Sequence, residues 1–80
     1  MGDLLNQAIV FAAKAHEGQL RKGSSIPYIL HSLEAAAIVG TITTDDNILA
    51  AAVLHDVVED TDYTIEDIEN KFGSEVAKLV

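Results

Sequence analysis

Ile48-Leu49-Ala50-Ala51-Ala52-Val53-Leu54-His55-Asp56-Val57-Val58 is the stretch on which the fold turns. A helix on a protein surface keeps a polar face, whereas this run is apolar on nearly every side, so it belongs in the middle of a bundle with neighbours all round. Thr43 or Thr44 is placed to cap this third helix, and Asp45 and Asp46 in its first turn suit the positive end of the helix dipole. Working outward, the elements on both sides also read as helices. Asp3 precedes apolar residues at Leu5, Ala8, Ile9 and Ala12, which predicts a first helix from about Leu4 to His16 with Asp3 as its cap.

Glu17 to Ile26 contains Gly18, Gly23, Ser24 and Ser25 and ends at Pro27, the pattern of a loop, with the basic pair Arg21-Lys22 inside it. A second helix starts near Pro27, continues through Leu33, Ala36, Ala37 and Ile38 and stops at Gly40. Thr64 followed by Asp67 resembles a capping box and opens a fourth helix through Ile65, Ile68 and Phe72 to Gly73. Ser74 starts a fifth that reaches Val80 with no stop signal, so the reading is one all-α domain over residues 1–80, incomplete at its C-terminus.

Composition agrees with that picture. Almost half of the 80 residues are hydrophobic and one is proline, too apolar and too regular for a disordered segment. With no Trp and few aromatics, the core is built from Ala, Ile, Leu and Val, side chains that suit closely packed helices. The absence of cysteine removes disulfides and thiolate metal sites, so any metal is held by nitrogen and oxygen. No signal peptide and no membrane-spanning stretch is evident, and a soluble, cytoplasmic protein is expected. A formal charge of −8 argues against nucleic-acid binding, which needs a basic surface. An anionic ligand would have to be met locally by a metal and a few basic side chains.

His55 and Asp56 interrupt the apolar helix, and burying such groups is costly unless something compensates them. A lone His would be read as a core residue with one hydrogen bond, and Asp56 as solvated or capping. With His31 on a separate helix as a third candidate, a divalent cation taking two imidazole nitrogens and a carboxylate satisfies all three. Glu59 and Asp60 follow at the helix end, where the dipole disfavours carboxylates. Either could be solvated or capping, yet beside a metal either could position or deprotonate a water. Arg21 and Lys22, ordinary surface residues in isolation, become the natural partners of a phosphate. His16 suits a helix end whatever its function and is left out of the site.

HEGQLRKG (His16 to Gly23), IPYILH (Ile26 to His31) and AAVLHDVVEDT (Ala51 to Thr61) together resemble the HD-type hydrolase domain of RelA/SpoT homologues, including the small stand-alone alarmone hydrolases. The resemblance covers essentially the whole chain and extends to the FGSEVAKLV ending. It implies a helical HD bundle that binds one divalent cation, typically Mn2+, and removes pyrophosphate from the 3′ position of guanosine tetra- or pentaphosphate. It assigns His31, His55 and Asp56 as metal ligands, Glu59 and Asp60 as the pair serving the attacking water, and Arg21 and Lys22 as nucleotide contacts. Ser32 stands where a proline commonly follows the first metal-binding His, and its effect is expected to end at the start of the helix. The loop between Arg21 and His31 is one residue longer than in the long bifunctional members. The resemblance also implies a further ligand Asp from a helix beyond the end of this sequence, which makes an inactive fragment one alternative. The others are an HD phosphohydrolase acting on another nucleotide and a non-catalytic helical module, two copies of which pair through an exposed apolar edge at Val76, Leu79 and Val80.

Overall fold

The computed structural model describes residues 3–80, and two of its helices open on side-chain caps. Helix α1 spans Asp3–Ala15, with Asp3 inside its first turn rather than at the cap. Helix α2 spans Ile29–Val39 and α3 spans Asp46–Asp60. Neither threonine caps α3. The cap is Asp45, whose carboxylate accepts from the N–H groups of Asn47 at 2.9 Å and Ile48 at 3.2 Å. A carboxylate adds negative charge at the positive helix end, which a hydroxyl cannot. Thr43 supports it from behind by accepting from the Asp45 N–H at 3.1 Å. Helix α4, Ile65–Phe72, opens on the expected capping box, with both reciprocal bonds between Thr64 and Asp67 formed. Gly73, at φ +98°, turns the chain into α5, Ser74–Leu79, through a conformation that L side chains rarely adopt.

The apolar run sits where its pattern requires. Helix α3 packs against α1, α2 and α5, and its Ala50, Val53, Leu54 and Val57 are fully buried. Ala8 and Ala12 of α1 face it with no exposed surface, so the absence of bulk on both sides lets the helices approach closely. Phe11 stacks on Tyr63 and Phe72 at centroid distances of 4.7 and 5.4 Å, joining α1 to α4 and the turn before it. A bond from the Leu5 N–H to the Asp46 carboxylate, 3.3 Å long, fixes the start of α1 against the start of α3.

Two further expectations change. Val76 is fully buried in the core, so it forms no part of an exposed edge; Val80 is half-buried, and Leu79 alone of the three is exposed. Ser32 is not confined to the start of α2 in its effect, because its hydroxyl is fully buried with no hydrogen-bond partner among the described residues. Gly40 ends α2 as expected, in right-handed conformation at φ −62°. The Cα atoms span 33 × 28 × 17 Å, a depth of about two packed layers of helices. Some helix faces therefore stay uncovered, among them those bearing Ile38 and Leu79.

Candidate metal centre

Because α3 is buried on most of its circumference, its few open positions near the C-terminal end define the site. His55 and Glu59, four residues apart, share an outer face, with the imidazole Nε2 3.7 Å from the carboxylate. Asp56, one position round, turns toward α2, where its Oδ2 lies 3.6 Å from His31 Nε2. Ligand atoms of His55, Asp56 and Glu59 all lie within 4.8 Å of one another. Asp56 is thus common to both groupings. Side-chain exposure is 13 % for Asp56, 39 % for His31 and 56 % for His55, so burial cost does not single out His55; convergence of donors does.

The spacing is itself informative. Contacts of 3.6 and 3.7 Å are too long for hydrogen bonds. Two ligands each about 2.1 Å from one ion stand roughly 3 to 3.5 Å apart, so the separation suits donors that share a cation. The converging group offers one imidazole nitrogen and two hard carboxylate oxygens, a donor set compatible with a divalent first-row metal, and His31 stands outside it, meeting only Asp56. The residues present therefore fit such an ion. His31 Nδ1 is buried with no hydrogen-bond partner among the described residues, and it would carry the ring proton were Nε2 given to an ion. The ring is instead steadied by an edge contact with Tyr28, centroid distance 5.6 Å.

Asp60, the last residue of α3, is held from outside its own helix. The Tyr28 hydroxyl donates to its Oδ2 at 2.7 Å, and the Gln19 side-chain amide donates to its backbone carbonyl at 3.0 Å. Gln19 Oε1 in turn lies 2.9 Å from Nδ1 of His16, a side chain with only 2 % exposure that stacks on Tyr28 at 4.8 Å. Donation to the carboxylate pushes the Tyr28 hydroxyl up from its usual 10.0 to about 12, with burial and the charges of Asp56, Asp60 and Glu59 adding to the effect.

Arg21 and Lys22 are exposed, and their side chains form no hydrogen bond or ion pair among the described residues. Their loop is closed at its base by the Leu20–Pro27 bridge, by the Arg21 N–H on the Ile26 carbonyl and by the Tyr28 N–H on the Gln19 carbonyl. The same Gln19 and Tyr28 hold Asp60, so the two cations ride on a loop whose stem is fixed to the end of α3. Sequence reasoning passed over Gln19 and Tyr28 and set His16 aside as a helix-end residue. All three lie within the quoted segments, but uncharged Gln19 and Tyr28 have no periodicity or charge pattern to mark them.

The HD-domain family pattern matches residues 8–80. The chain is 47 % identical over 78 residues to a GTP pyrophosphokinase of Myxococcus xanthus, covering 98 % of this chain and 10 % of that protein. It is 49 % identical over 78 residues to a guanosine-3′,5′-bis(diphosphate) 3′-pyrophosphohydrolase of Vibrio cholerae, covering 98 % of this chain and 11 % of the relative. Over 76 residues it is 49 % identical to the bifunctional (p)ppGpp synthase/hydrolase SpoT of Escherichia coli K12, covering 95 % of this chain and 11 % of SpoT. A solved structure of a metazoan ortholog of SpoT that hydrolyses ppGpp superposes with a TM-score of 0.89 at 38 % identity, covering 98 % of this chain and 46 % of that one. The chain thus spans about a tenth of the length of these curated relatives. A five-helix fold with α3 buried within it, a His-Asp pair at the open end of that helix and these likenesses together place the chain in the HD-domain family, beside its SpoT-like members.

Proposed function

We propose that this chain is a metal-dependent phosphohydrolase domain that removes the 3′-pyrophosphate of guanosine tetra- or pentaphosphate in the cytoplasm, with Mn2+ as the metal. The observation that carries the reading is the position of Asp56, shared between His31 on α2 and the His55–Glu59 face of α3, one helical turn before Asp60. His31, His55 and Asp56 hold the ion; bound there, a divalent cation polarises the phosphate and makes water more acidic. Glu59 and Asp60 orient the attacking water and take its proton. The bond formed joins the water oxygen to the 3′-linked phosphorus. The bond broken joins that phosphorus to the ribose 3′ oxygen, which leaves protonated as pyrophosphate is released. Arg21 grips phosphate oxygens through its forked guanidinium, and Lys22 supplies a point charge or covers the base. Relatives that are named for hydrolysing this nucleotide support the choice of substrate.

Incubation of the Mn2+-loaded chain with guanosine tetraphosphate is expected to release pyrophosphate. An intact nucleotide, with cleavage restored by a version extended downstream, replaces this reading with that of an inactive fragment. Leu79, exposed beside half-buried Val80, supports a second reading in which two copies pair through the C-terminal apolar edge. A monomer at micromolar concentration in light scattering removes it.

A further inference from the structure

The geometry points to Tyr28 as a positioning residue that ties Asp60, the candidate water-orienting carboxylate, to the candidate metal ligand His31. This rests on the hydrolase reading above and adds a residue that the charge pattern leaves unassigned.

Asp60 needs such support because of where it sits. It is exposed, it is the last residue of α3, and Thr61 after it is extended, at φ −133° and ψ 179°. A carboxylate there faces the negative end of the helix dipole and gains little order from its own helix. Orienting a water productively requires the acceptor oxygen to be held within about 0.5 Å. The restraint comes from the loop between α1 and α2. Tyr28, 32 residues away in sequence, takes Oδ2 at 2.7 Å and leaves Oδ1 as the acceptor without a protein partner among the described residues. Gln19 secures the Asp60 carbonyl at 3.0 Å, and buried His16 secures Gln19 at 2.9 Å. Both the side chain and the backbone of Asp60 are therefore fixed by one loop.

Tyr28 has a second contact surface. Its ring is stacked on His16 at 4.8 Å and meets His31 edge-on at 5.6 Å. One rigid side chain thus touches the imidazole whose Nε2 faces Asp56 and, through its hydroxyl, the carboxylate one turn further along α3. A displacement of the loop would move both halves of the site together. With its hydroxyl engaged by Asp60 Oδ2, Tyr28 acts through Asp60.

Tyr28→Phe in the full chain tests this, since it keeps the ring and removes the hydroxyl. In the Mn2+-loaded protein, kcat for pyrophosphate release from guanosine tetraphosphate should fall roughly 10- to 100-fold, as for other partners that orient a catalytic group. KM and the Mn2+ Kd should stay within about twofold of the parent protein, because substrate and ion contacts are untouched. The carboxyl 13C resonance of Asp60 should shift, while that of exposed Asp62 should not. Gln19→Leu should lower kcat in the same direction. An unchanged kcat with a shifted resonance overturns the positioning role, and an unmoved resonance overturns the contact itself. A matching loss of Mn2+ affinity would make Tyr28 a support of the metal instead. If the parent chain releases no pyrophosphate, the catalytic role falls with the reading beneath it, whereas the resonance still decides the contact.

Discussion

Replacing Asp56 by Ala removes the one side chain that both donor groupings share, and the structure indicates how large the effect should be. Asp56 Oδ2 stands 3.6 Å from His31 Nε2 and belongs to the set with His55 and Glu59 that lies within 4.8 Å. Losing a group that merely orients a ligand lowers metal affinity about 10- to 100-fold, so loss of a ligand itself should weaken Mn2+ binding at least about 100-fold, roughly 2.7 kcal/mol. The apo protein should not be destabilised to match. The Asp56 side chain makes no hydrogen bond among the described residues, and its neighbours Glu59 and Asp60 are also carboxylates. Calorimetric titration with Mn2+, paired with urea denaturation of the metal-free protein, separates the two effects. The two groupings also predict different companions. With His31 as ligand, His31→Ala weakens Mn2+ nearly as much as Asp56→Ala, and Glu59→Ala weakens it much less. Unchanged metal content in Asp56→Ala refutes the site. Loss of binding in Glu59→Ala with retention in His31→Ala refutes the assignment of His31 and moves the ion to the outer face of α3.

Three further outcomes are expected. Tyr28 should ionise near pH 12 by absorbance at 295 nm in a Tyr63→Phe background, and Asp60→Ala should return it toward 10. Since its folded pKa is raised, its contribution to stability is complete below pH 10 and is lost as pH rises through about 12; an unchanged midpoint in Asp60→Ala rejects the bond as its main cause. Leu54→Ala, at a fully buried position, should cost about 2 to 5 kcal/mol in urea unfolding, a large share of the roughly 4 to 12 kcal/mol expected of a domain this size. Ser32→Ala should stabilise by about 1 kcal/mol, as it removes a buried hydroxyl without a partner and adds helix propensity. A lower urea midpoint would mean that this hydroxyl is satisfied in solution.

The sequence by itself determined the helices and their order, because these follow from local rules. The apolar run Ile48 to Val58 could be placed at the centre of a bundle without knowing its neighbours, and the Thr64–Asp67 box could be seen in four residues. It also separated the polar positions His31, His55 and Asp56 from the core. Caps were less legible: Asp45, Thr43 and Thr44 are all suitable types, and the choice depends on which side chain reaches the first free N–H groups. Tertiary structure alone decided the rest. Val76 is core because α5 folds back on α3, which no pattern in its six residues announces. Likewise, helical period alone cannot say that Asp56 rather than His55 turns toward α2, or that a neutral tyrosine 32 residues upstream reaches Asp60. Such contacts depend on how α2 and the loop before it lie across α3, a packing geometry set by many small apolar contacts at once and encoded in none of them singly.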